Sequence, residues 1–138
     1  MKMKKGFTLV ELLIVLAVIA ALLSVATPLA LNAVKAAKAS QVAQNFKAIK
    51  SAVENWFNTE APDDTAISGL TLEKLKNEDY LSNVPEHFSL TAPSSGTDGV
   101  YNFTIEYIGG DVEAAKVQKN LPEVSDDLKL TFDLQKWW

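Results

Sequence analysis

The 138-residue chain contains no cysteine, which excludes disulfide cross-links, thiolate metal sites and cysteine nucleophiles together. Arginine is missing as well. All 13 cationic side chains are lysine, so the chain lacks the planar forks that grip phosphate or carboxylate bidentately. A single histidine, His87, leaves few conventional routes to acid–base or nucleophilic catalysis. The lysines face 17 Asp and Glu, a net charge of −4, which argues against a general nucleic-acid binder. No P-loop or dinucleotide fingerprint occurs, since Gly109-Gly110 lacks the glycines that would have to follow.

What is present is unevenly spread. The chain is 48% hydrophobic with a mean hydropathy of +0.05, ordinary for one small soluble domain. Yet from Leu12 to Leu31 only Ser24, Thr27 and Pro28 interrupt an apolar run. About 20 such residues span a bilayer as a helix. Lys2, Lys4 and Lys5 precede the run, as in a secretory signal. The run is too long for a signal core, however, and no small-x-small cleavage site leads to a polar mature start. The leading lysines favour a cytoplasmic N-terminus, although Lys35 and Lys38 at the far end weaken that rule.

Glu11 stands inside the apolar stretch, where a carboxylate costs about 2.5–3.5 kcal/mol at the centre of a span and less near an end. Either it reaches water at the interface, or it takes a cationic partner. An amino terminus created by a cut after Gly6 would place the Phe7 amine one helical turn away, and a neighbouring chain's amine would serve equally.

Lys5-Gly6-Phe7-Thr8-Leu9-Val10-Glu11-Leu12-Leu13 resembles the class III signal of type IV pilins and of the pseudopilins of type II secretion and competence systems. The likeness extends to Pro28. It implies that a prepilin peptidase cuts after Gly6 and N-methylates Phe7, and that Glu11 sets assembly register by meeting the Phe7 amine of an adjacent subunit.

From Phe7 to about Asn58 only Pro28 opposes a single helix, about 78 Å long at 1.5 Å per residue. Pro28 removes a backbone bond and is expected to kink or loosen the helix near Ser24–Thr27. Beyond Leu31 the pattern becomes striped. Val42, Phe46, Ile49, Val53 and Trp56 alternate spacings of four and three, predicting one apolar face for helix–head packing. Ala17, Ala20, Ala21, Ala26 and Ala30 thin the first half and permit close helix approach. Removing residues 1–6 takes three lysines and leaves 10 cationic against 17 acidic side chains, a net of −7; residues 61–138 hold 6 Lys and 14 Asp+Glu, a net of −8. An acidic head and a slightly basic stalk suit neighbouring subunits in a filament.

Pro62 and its polar neighbours end the helix. Leu72–Asn77 reads as a short helix capped by Thr71, followed by burial of Tyr80, Leu81 and Val84. His87–Ala92 reads as a weak strand, and 93–99 as a flexible turn. Val100–Ile108 alternates Tyr101, Phe103, Ile105 and Tyr107 against polar partners, which makes it the clearest strand. Asp111 is expected to cap a helix from Val112 to about Asn120. A last strand alternates Leu128, Leu130, Phe132 and Leu134. The predicted fold class is α+β: a long N-terminal helix, transmembrane in its first half (about 7–31), packed on a small, mainly antiparallel head. The expected boundaries are 1–6 leader, 7–58 helix and 59–138 head.

Other residues carry little chemistry. Ser94 and Ser95 have no second histidine to complete a triad. Asp98 and Asp126-Asp127 lack the spacing of a calcium loop, so neither metal nor cofactor is expected. Asn102-Phe103-Thr104 is a glycosylation sequon that more often arises by chance. Trp137-Trp138 suits packing on the sheet, or, if bare, an interface.

The expected function is that of a structural subunit of a type IV pilus-like surface filament, a substrate of an enzyme rather than an enzyme. By the same resemblance its partners are further copies of itself, the prepilin peptidase, an assembly ATPase and a platform membrane protein, with membrane lipid before assembly. It would start as a single-pass precursor in the cytoplasmic membrane, head outside, and end at the cell surface. The alternatives are a pseudopilin for secretion or DNA uptake and, more remotely, a single-span membrane-anchored binding module.

Overall fold

The computed structural model describes residues 6–138; the leader lysines Lys2, Lys4 and Lys5 lie outside the described residues. Seven elements follow in order: α1 (Leu9–Glu60), α2 (Asp64–Ser68), α3 (Leu72–Asn77), β1 (Phe88–Thr91), β2 (Val100–Tyr107), α4 (Ala114–Gln118) and β3 (Lys129–Gln135). This is an α+β architecture, a long N-terminal helix followed by a small antiparallel sheet. The chain divides into two compact units, 1–36 and 37–138.

In the first unit every described residue is exposed. The helix runs through Pro28, and the Ser24 hydroxyl donates to the Ala21 carbonyl at 2.7 Å. Sixteen large apolar side chains from Phe7 to Val34 are uncovered. Burying one such side chain is worth about 1.5–3 kcal/mol, so together they amount to tens of kcal/mol. A folded domain's whole stability is only about 5–15 kcal/mol. So much uncovered apolar surface suits lipid or other apolar helices better than water.

The second unit begins on the same helix, where the stripe replaces the continuous run. Ala39, Val42, Ala43, Phe46, Ile49, Ala52, Val53, Trp56 and Phe57 are buried. They share one cluster with the inward face of the sheet, Tyr101, Phe103, Ile105 and Tyr107 from β2 and Leu130 and Phe132 from β3. Phe46 meets Phe88 edge-on at 5.0 Å, and Phe57 meets Phe103 edge-on at 6.2 Å, the geometry that ring quadrupoles favour. The sheet order is β1-β2-β3 with both pairs antiparallel.

Several local details differ from the sequence reading. Helix α1 continues to Glu60, whose carboxylate accepts from the Tyr80 hydroxyl at 2.6 Å. Asp63 caps α2, accepting from Ala66 N–H at 2.7 Å, a single turn hidden in what reads as a loop. Thr71 caps α3 as expected. Helix α4 is shorter than expected and starts after Glu113, with no side-chain cap. Asp111 is drawn elsewhere, to Tyr107 and Lys38. In segment 93–99, Thr97 and Val100 exchange backbone bonds of 3.0 and 2.9 Å. Gly96 packs so closely on Tyr101 that a Cβ would fall 2.6 Å from its ring. His87 and Leu128 adopt positive φ and stay outside the strands.

Candidate functional site

Gly6 and Phe7 precede α1 outside regular secondary structure, and Phe7 is 85% exposed. Nothing described lies within 4 Å of where a Gly6 side chain would project, and Gly6 is not among the positive-φ glycines. Among the described residues, then, no steric contact and no positive φ requires glycine at this position.

Thr8 and Glu11 form a reciprocal cap. Thr8 N–H donates to Glu11 Oε2 at 2.8 Å, and Glu11 N–H donates to Thr8 Oγ1 at 3.2 Å. Thr8 O accepts from Leu12 N–H at 3.2 Å, the first helical bond. This Thr-x-x-Glu box satisfies two of the orphan donors at a helix start and sets a carboxylate against the positive end of the macrodipole. The sequence reading assigned Glu11 only an amine or water. The signal was present, since Thr stands three residues before Glu at the head of an apolar run. Within one chain Glu11 thus already holds an N–H, and an incoming ammonium would meet a carboxylate fixed in place by Thr8.

Val42, Phe46, Ile49, Val53 and Trp56 are all buried in the second unit. The Trp56 indole N–H donates to Glu78 Oε2 at 2.8 Å, and Lys74 Nζ lies 5.1 Å from its ring.

Two charged clusters brace the same unit. Asp64 Oδ1 accepts from Tyr101 Oη at 2.5 Å and from Lys136 Nζ at 2.7 Å. Lys136 first, then Tyr101, holds the Asp64 carboxyl below its ordinary value, and Asp64 raises Lys136 in return. Asp111 accepts from the Tyr107 hydroxyl and pairs with Lys38 at 3.1 Å. The Tyr107 bond, then Lys38, lowers Asp111; burial first, then Asp111, pushes Tyr107 up to about 12. Both clusters tie the α1–α2 side of the unit to the sheet and its flanking loops, and neither pairs a nucleophile with a base.

The remaining candidates are dispersed. The His87 ring stands edge-on to Tyr107 at 6.4 Å. Asn102 donates to Asp133 at 2.6 Å on the solvent face of the sheet. Among the described residues no group of three or more His, Asp or Glu could hold a metal ion. Trp138 packs on Phe57 of α1 at 4.9 Å, while Trp137 is 68% exposed.

Residues 1–27 match the family model described as the prokaryotic N-terminal methylation motif, the class III signature of type IV pilins and pseudopilins. The match covers Gly6, Phe7, Thr8 and Glu11 and ends one residue before Pro28. No curated protein and no solved structure matches the chain.

Proposed function

We propose that this protein is the structural subunit of a type IV pilus-like surface filament. The observation that carries the reading is the methylation motif over residues 1–27 leading into a helix whose apolar N-terminal stretch is long enough to cross a membrane and is uncovered. The motif supports a pilin-like or pseudopilin precursor. On the finer reading, the precursor sits in the cytoplasmic membrane with its C-terminal unit outside. A prepilin peptidase removes residues 1–6 and methylates the new Phe7 amine. Work from an assembly ATPase, transmitted by a platform membrane protein, draws the helix out of lipid.

The physical requirement is substitution of one apolar environment for another. The side chains from Leu9 to Val34 must leave acyl chains only when equivalent helices of neighbouring copies take their place. The motif carboxylate then restricts axial position. A Phe7 ammonium placed against Glu11 of a neighbour neutralises both charges, whereas a slip of one turn strands both in hydrocarbon. Pro28 lowers the local helix bonding and supplies a place where the helix can bend during extraction.

Mass spectrometry of the membrane-extracted protein tests the reading. A species beginning at N-methylated Phe7 is expected; a species beginning at Met1 overturns it and leaves a static membrane-anchored module. Secretion loss on deletion, without surface fibres, would assign the same chemistry to a pseudopilin.

A further inference from the structure

The sheet has two open edges. Lys136 N–H bonds Gly99 O at 2.8 Å and Tyr107 N–H bonds Leu128 O at 3.0 Å, which fixes Leu130, Phe132 and Leu134 as the β3 residues whose backbone faces β2. Thr131, Asp133 and Gln135 therefore turn N–H and C=O away from the sheet. Lys129 does not add to that row, because its carbonyl accepts from Ser125 N–H at 2.9 Å and its N–H donates to Ser125 Oγ at 3.2 Å. On the other edge, Ile108 N–H bonds His87 O at 2.8 Å. That parity pairs Ser89 and Thr91 with β2 and turns the backbone of Phe88 and Leu90 outward. Rows of this kind template further strands.

We propose that the β1 edge of one copy pairs in parallel with the β3 edge of a second copy, continuing the sheet between C-terminal units. Both strands are antiparallel to β2 and so run in the same direction, as repeated head-to-tail addition of one sheet to the next requires. Their parity also agrees. In a parallel ladder a residue bonding outward sits beside one that bonds into its own sheet, so Leu90 lies beside Phe132 and Thr91 beside Asp133. Leu90 is half-buried at its edge, and Phe132 and Leu134 continue the same apolar face in the partner. On the solvent face the Thr91 hydroxyl meets the Asp133 carboxylate, and Ser89 meets Thr131, with no like charges opposed. Pairing two β3 edges symmetrically about Asp133 would instead set two carboxylates against each other. The contact is heterologous, so it propagates rather than closing at a dimer. It deepens the filament reading and rests on it for the direction of propagation.

The cysteine-free sequence supplies the test. In the full-length Thr91→Cys/Asp133→Cys variant the only thiols stand on opposite edges with β2 between them, so a bond within one chain is excluded. Adjacent strands lie about 4.8 Å apart, inside the about 4.4–6.8 Å Cα span of a disulfide. Mild oxidation of cells expressing this variant is expected to give a ladder of dimers, trimers and higher species that collapses on reduction. Each single variant is expected to remain monomeric. Absence of the ladder, or dimers from Asp133→Cys alone, overturns the proposal. Fibres seen by electron microscopy without a ladder would remove the edge pairing and leave the filament reading standing. A ladder from cells without fibres would support the pairing and remove the filament reading.

Discussion

Ile19 and Ile49 lie on the same helix, carry the same side chain, and differ in what surrounds them. Ile49 is 0% exposed and Ile19 is 47% exposed. Ile→Ala removes three carbons, a transfer loss of about 2.4 kcal/mol at 0.8 kcal/mol for each. At Ile49 an unfilled cavity adds to this, and measured Ile→Ala changes in cores cost about 2–5 kcal/mol. Alanine's better helix propensity returns about 0.5 kcal/mol. Ile49→Ala should therefore destabilise residues 37–138 by about 3 kcal/mol, which for a unit of this size lowers the melting temperature by about 10–25 °C. Ile19→Ala creates no cavity in that unit and gains the same helix propensity, so its effect on the melt should stay within about 0.5 kcal/mol. Full-length protein in detergent micelles, melted by near-UV circular dichroism, separates the two, since Trp56 and the core tyrosines report on packing. Filament yield should show the reverse sensitivity, because Ile19 lies in the segment that other helices must cover. Equal melting shifts for the two variants would refute the division of α1 into a lipid-grade half and a core-forming half.

Other perturbations address the motif and the charged clusters. Gly6→Val should leave an unprocessed, heavier precursor in the membrane while the melt of residues 37–138 stays unchanged; normal maturation would remove Gly6 from the recognition. Glu11→Ala should be cleaved yet assemble poorly. Thr8→Val should lose a cap worth about 1 kcal/mol and give an intermediate filament yield, whereas abundant filaments from Glu11→Ala would show that the carboxylate does not set register. Asp64 and Asp111 sit below the ordinary carboxylate value of 3.8, so their stabilisation is present above that value and is lost as pH falls below it. Tyr107 is raised from 10.0 to about 12, so its stabilisation is complete below pH 10 and disappears as pH rises towards 12. Asp111→Asn should weaken the acid-side dependence and let Tyr107 ionise at lower pH, read by tyrosinate absorbance. Burial, the larger cause, should still hold Tyr107 above 10. A titration identical to the parent's would refute the Tyr107–Asp111 coupling.

Much of this was legible from spacing alone because it depends on local periodicity. The stripe Val42, Phe46, Ile49, Val53 and Trp56 is a helical repeat, and the alternation of Tyr101, Phe103, Ile105 and Tyr107 is a strand repeat; each carries its buried face in the sequence itself. The Thr71 cap was readable for the same reason. The Thr8–Glu11 box and the Asp63 cap were local signals passed over; another misreading fell where a residue's partner is distant in the chain. Asp111 looked like a helix cap because its neighbours suit a helix, but Lys38, from α1, lies close enough to compete for its carboxylate.

The sequence by itself determined that residues 12–31 form an almost unbroken apolar run, that glycine, phenylalanine and glutamate stand in motif spacing after a lysine-rich start, and that no thiol or guanidinium chemistry is available. These follow from composition and from short, contiguous spacings. Only the tertiary structure decided that Asp64 and Asp111 brace the sheet against α1 and α2. It also decided which backbone groups face outward along β1 and β3. Each of these depends on hydrogen-bond direction or on the meeting of residues tens of positions apart, and hydrogen-bond parity is set by the partner strand rather than by the strand's own side chains.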